Sequence, residues 1–202
     1  RYGGVPLELV PKQLDATYEE LYTPRSTLQE TYEQIFADLD AAIADLPGSA
    51  MSGKATKWAA HALKSRAALY AARIAKYHPQ SSDGLTSIPA GLAGGYYTMS
   101  HASASAIIDS GKHPLHTGGG TYQKTYSEVL TKKGNSEMIF VTEYDLGLGK
   151  THMHGYFNMP DGFKSGWGSN THIYEHSVER FEYKDGTPGN KNRGLFNNKT
   201  FF

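Results

Sequence analysis

Apolar residues recur at three- and four-residue spacing through the first half of the chain, and that period sets the first elements. Leu28, Tyr32, Ile35, Phe36, Leu39, Ala42, Ile43 and Leu46 fall on one stripe, which predicts an amphipathic helix over residues 27–46. Ser26 and Gln29 read as an S-x-x-Q capping box, and Pro47-Gly48 ends the run. From Lys57 to about Tyr77 no Pro or Gly interrupts the chain, and Thr56 is placed to cap this second helix. Trp58, Ala62, Leu69 and Ile74 mark one face, with Ala59, Leu63, Ala67, Tyr70 and Ala71 beside it. The eight alanines between Ala59 and Ala75 favour helix and let a bulky neighbour approach closely. Two long helices with a short polar connection predict an antiparallel hairpin.

A weaker pair follows. Met99, Ala102, Ala106 and Ile107 share one side of residues 97–110, with Gly111 as the stop, and residues 122–130 predict a short helix. Helical hairpins in series suggest tetratricopeptide-like repeats, although the Gly/Ser-rich stretch 80–95 makes the period irregular. After Gly134 the pattern changes. Glu137 to Thr142 reads as a short buried strand or extended segment. Residues 147–170 are loop-like, rich in Gly, His, aromatics and Asn, and residues 178–183 predict the end of a short helix. The expected class is mainly α, with little β and an irregular loop-rich region. The expected organisation is one domain, its helical scaffold in residues 1–135 and its loop-rich, ligand-facing part in residues 136–202.

Charge and composition then narrow the function. The 20 basic and 20 acidic residues balance, and no basic run exceeds Lys132-Lys133, so a nucleic-acid partner is not expected. No apolar stretch approaches the roughly 18 residues of a transmembrane helix. The absence of Cys excludes disulfides, cysteine–zinc sites and thiol catalysis. Neither a G-x-S-x-G elbow nor a Walker A sequence occurs, and Gly118-Gly119-Gly120 lacks the Lys-Ser/Thr that a phosphate cradle needs. No cofactor is expected.

Two sets of residues could carry chemistry. The 14 tyrosines serve first as amphipathic rings capping a modest core. A sugar, however, presents an apolar C–H face and a rim of hydroxyls, which an exposed ring flanked by polar side chains matches. Tyr156, Phe157 and Trp167, with His154, Asn158, Asp161 and Asn170, form such a cluster. The second set is histidine-rich. His152-x-His154 could place two imidazoles on one face of an extended segment, and His172-Ile173-Tyr174-Glu175-His176 matches H-x-x-E-H. On a helix His172 and His176 could bind zinc with Glu175 as general base, which gives a zinc-dependent hydrolase as an alternative. That short match lacks a long helix around it and an acidic third ligand. A third reading is a helical-repeat scaffold that binds protein only.

Several ordered motifs resemble the SusD/RagB family of outer-membrane glycan-capture lipoproteins. Tyr2-Gly3-Gly4-Val5-Pro6-Leu7 comes first, then Arg25, Thr27, Glu30, Tyr32, Ile35, Asp38-Leu39, Ala42 and Leu46-Pro47. The signature helix follows from Gly53 to Tyr70, then Ile107-Ile108-Asp109-Ser110-Gly111 with His113 before Leu115, then Glu137 to Phe140. Val178, Glu179, Phe181, Asp185 and Gly186 fit the closing motif, although His172-Ile173-Tyr174 stands where the family has Asn-Pro-Thr. The H-x-x-E-H match thus falls on a structural segment of the family, which weighs against the hydrolase. The resemblance implies a non-catalytic protein on the exterior face of the outer membrane. Such a protein captures an oligosaccharide and acts with a SusC-like TonB-dependent transporter, anchored by a lipid outside this chain. It also implies that the chain is the central portion of a longer protein. The cluster from His154 to Asn170 rests on residue chemistry, not on the resemblance.

Overall fold

The computed structural model describes residues 3–13, 15, 17–158, 174, 177, 180–182 and 186. Among these the regular structure is helical, with an isolated bridge from Asp145 to Lys150 and no strand. The chain forms two compact units, residues 1–143 and 144–202. None of the described helices is long and apolar enough to cross a membrane.

The first unit is built on three helices. After the short helix α1 (Tyr18–Leu21) come α2 (Leu28–Asp45), α3 (Lys57–Tyr77) and α4 (Ala93–Asp109). The periodicity of residues 27–46 emerges as α2, but its cap sits one residue later than expected. Thr27 and Glu30 form the capping box, not Ser26 and Gln29: the Thr27 hydroxyl accepts from Glu30 N–H at 3.2 Å and the Glu30 carboxylate accepts from Thr27 N–H at 2.8 Å. Both pairs fit the sequence pattern. Glu offers a charged acceptor at the positive helix start, where Gln does not.

The packing face of α3 also differs from the expected one. Ala60, Ala68, Ala71, Ala72 and Ala75 are buried, whereas Leu63, Leu69 and Tyr70 are exposed. The alanine side, not the Leu/Tyr side, faces the neighbouring helices, because small residues let two partners approach at once. α3 packs against both α2 and α4. Phe36 of α2 reaches Tyr96 of α4, with ring centroids 5.5 Å apart, and both rings belong to the same cluster as the α3 alanines. Ser65 and Ser100 exchange hydroxyl-to-carbonyl hydrogen bonds at 2.9 Å between α3 and α4, so these polar groups are paired where they are buried.

α4 begins earlier than the sequence pattern suggests. A 3-10 turn at Ala90–Leu92 leads directly into it, so Gly94 and Gly95, read as loop residues, lie inside the helix. Tertiary packing outweighs the roughly 1 kcal/mol that each Gly costs. The connection before it is tied by Ser81 N–H to Ser87 Oγ at 2.8 Å and buries Ile88 completely.

The leading segment is clasped between two loops. Gly4 N–H donates to Leu85 O at 2.7 Å, Ser26 N–H to Val5 O at 3.1 Å, and Arg25 Nε to Gly4 O at 2.8 Å. A Cβ on Gly4 would lie 1.9 Å from Ser26 O, and one on Gly3, at φ +78°, would lie 2.0 Å from Leu85 O. Glycine at both positions therefore follows from backbone approaching backbone.

α5 (Tyr122–Thr131) is the expected short helix. It is capped by Thr121 at one end. Past its other end the Asn135 amide donates to Val129 O at 2.8 Å and to Lys132 O at 3.1 Å. This arrangement removes the expected strand. Asn135 Oδ1 accepts from Glu137 N–H at 3.0 Å and Asn135 O from Met138 N–H at 3.2 Å, so residues 135–138 turn, and nothing beside them offers a ladder among the described residues. The Glu137 carboxylate instead accepts from His116 N–H at 2.7 Å.

Candidate functional site

The start of the loop-rich region is organised by its short polar residues. Asp145 accepts from Gly147 N–H at 2.8 Å and Leu148 N–H at 3.3 Å, which caps a 3-10 turn at Leu146–Leu148. Gly149, at φ +68°, closes that turn and returns the chain to pair Lys150 with Asp145. Leu146 and Leu148 are left outward, 83% and 73% exposed.

Past this turn the chain forms an imidazole–aromatic stack. The rings of Tyr144 and His152 meet edge to face at 4.5 Å, and those of His152 and His154 at 6.2 Å. His154 N–H donates to His152 Nδ1 at 3.2 Å. His154 opens the short helix α6 (His154–Phe157), and the Asn158 amide donates to His154 O at 2.8 Å and lies 3.3 Å from His154 Nδ1. His152 and His154 therefore stack and turn rather than share one face of an extended segment.

Of the sequence-predicted cluster, His154 and Asn158 are in contact and Phe157 is half exposed beside them. Tyr156 lies in α6, but its side chain lies outside what is described, as do Asp161, Trp167 and Asn170. His172, Glu175 and His176 lie outside the described residues as well. Among the described residues no group of three His, Asp or Glu side chains is arranged to hold a metal ion. Tyr144 is the member that sequence reasoning missed; His152 was singled out only as half of a His-x-His pair, not as a partner of Tyr144. Their signal was a Tyr and a His flanking an Asp-x-Gly turn.

Such a surface offers ring faces and edges, an amide and imidazole nitrogens, all solvent-reachable. It can bind a polyhydroxylated ligand by stacking and hydrogen bonds.

The chain resembles a crystal structure of a SusD-like protein from Bacteroides fragilis NCTC 9343, with 28% identity and a TM-score of 0.61 over 93% of this chain. A SusD-like family model described as "Starch-binding associating with outer membrane" matches residues 1–69. Residues 1–69 thus resemble the SusD-like family, and the chain as a whole resembles a solved SusD-like protein. Its mainly helical fold is that of this SusD-like relative. No curated protein matches. The chain spans 33% of the length of the solved SusD-like protein.

The family-model match ends inside α3, so it covers the clasped Gly3-Gly4 segment, α2 and the first part of α3. The loop at residues 144–158 lies beyond it.

Proposed function

We propose that this chain is part of a protein that captures oligosaccharides at the exterior face of the outer membrane, without turnover, and passes them to a SusC-like TonB-dependent transporter. The observation that supports this reading is the match of residues 1–69 to a family model described as starch-binding and associating with the outer membrane. The ring-and-amide surface from Tyr144 to Asn158 is chemically suited to a sugar. The ligand contacts proposed are Tyr156, Phe157 and Trp167, with His154, Asn158, Asp161 and Asn170 supplying polar partners. Exposed rings at such sites cover the C–H face of a sugar while amides and imidazoles take its hydroxyls.

Titration calorimetry against starch-derived and other neutral oligosaccharides tests the reading. Saccharide binding with the sugar recovered intact is expected, and Trp167→Ala should weaken it at least tenfold. Undiminished affinity in that variant removes the site assignment. Release of shortened sugars would overturn the non-catalytic reading. Co-purification of a barrel partner from outer membranes tests the transporter step.

A further inference from the structure

A cavity sits at the head of α3, within the first unit. Its sequence is Gly48 to Thr56, a run of small and polar residues between two helices. The loop is held by the Trp58 indole, which donates to Gly48 O at 2.8 Å, and by Lys57 N–H, which donates to Pro47 O at 3.1 Å. With the turn at residues 134–141 it encloses about 330 Å³. That volume lies at the small end of ligand pockets, roughly 300–1,000 Å³.

The lining is divided by chemistry. Trp58, Met138 and Ile139 supply apolar surface, while Lys54 and Lys112 stand at the rim. Among the described residues neither ammonium is paired with a carboxylate. Glu143, the acid near this rim, is already bonded to Ser52 and lies 3.6 Å from Lys133. Helix α3 contributes the positive end of its dipole and has no acidic residue in its first turn.

Two buried polar atoms lack partners here. Thr56 occupies the N-cap position of α3 yet makes no side-chain cap bond, and it is only 9% exposed. Its hydroxyl and the Nδ1 of His113 are both buried without a hydrogen-bond partner, and both residues line this cavity. Leaving such a group unmade costs about 1–3 kcal/mol. A structure tolerates that where a ligand completes the bond.

We propose that this cavity binds a small carboxylate on a compact carbon skeleton, such as a uronic acid residue or a short organic acid. The carboxylate lies between Lys54, Lys112 and the Thr56 hydroxyl at the α3 N-terminus, its skeleton rests on Trp58 and Met138, and His113 Nδ1 takes a hydroxyl. Capture of neutral sugars through the contacts proposed at residues 154–170 could fail without touching this assignment.

The test is calorimetric titration of the full chain with D-glucuronate, acetate and D-glucose at low salt. Glucuronate should bind and glucose should not. Glucuronate much tighter than acetate assigns a sugar acid as the source; equal affinities assign a simple organic acid. Lys54→Ala and Lys112→Ala should each weaken glucuronate about tenfold, the scale of one charge-assisted hydrogen bond. Thr56→Val keeps the side-chain shape and removes the orphan hydroxyl. It should weaken glucuronate while raising the denaturation midpoint, a pair of changes that a misfolded variant cannot give. Absence of binding by both carboxylates overturns the proposal, and so does glucuronate affinity unchanged in all three variants.

Discussion

The three-helix layer and the loop at residues 144–158 are ordered by different forces. In the layer, α3 presents alanines so small that α2 and α4 close over them, and Ala68, Ala71, Ala72 and Ile88 have no solvent contact. Order there comes from apolar burial shared by residues far apart in sequence. In the loop, Asp145, Gly149, His152 and Asn158 bond to neighbours within five residues, and the large side chains remain outside. Burial orders the first region, and the ligand contacts proposed above belong to the second. A substitution should therefore register in one assay and be nearly silent in the other.

The largest test of that division is Phe36→Ala. It removes a ring packed on Tyr32 and Tyr96 and should cost about 3–5 kcal/mol in urea unfolding. Ala72→Leu probes the same layer from the opposite direction. Three added carbon atoms have no room at a fully buried alanine, and the expected cost is about 1–3 kcal/mol. A neutral result for it would mean that the helices separate readily and that close approach is not what orders them.

A polar element of the first unit comes next. The His116 ring bonds to the Glu128 carboxylate at 2.8 Å and holds that carboxyl below its usual value of 4.5. A carboxyl lowered in the folded state contributes stability above its unfolded value and loses it as pH falls through the lowered one. Glu128→Gln should therefore lower the midpoint at neutral pH and flatten the acid side of its pH dependence. A parallel downward shift at every pH would sink this account.

The smallest effect on global stability is expected for Asp145→Ala. The turn at Leu146–Leu148 loses its cap, locally about 1 kcal/mol, while the denaturation midpoint stays within about 0.5 kcal/mol of the parent. Amide exchange at Gly147 and Leu148 should accelerate. A large global loss would break the separation between the two regions.

The sequence showed the helices better than their faces. The stripe from Leu28 to Leu46 defined α2 almost to the residue, because an amphipathic period survives any choice of neighbour. The face of α3 did not follow from hydrophobicity, since Leu63, Leu69 and Tyr70 outrank alanine on any apolar scale and yet stay exposed. What decides there is how close two helices must come, a property of the partners. Gly94-Gly95 misled for a related reason, as did Glu137 to Thr142, where β-rich composition had no neighbouring strand to pair with. The ring cluster was legible as chemistry in His154, Phe157 and Asn158. The pairing of Tyr144 with His152 was not, because an Asp–Gly turn brings together residues eight apart, and no short motif marks that.

The clasp on the leading segment has a consequence for how the chain is tied. Gly4 to Leu85 and Leu28 to Gly84 join the start of the chain to a loop beyond α3, so α2 and α3 lie within a closed, non-covalent ring. The segment linking those helices, residues 47–55, is exposed along its length up to Ala55. A single protease nick there would sever the backbone but not the ring. The two pieces would stay associated through the glycine clasp and the alanine face, and would separate only when denatured.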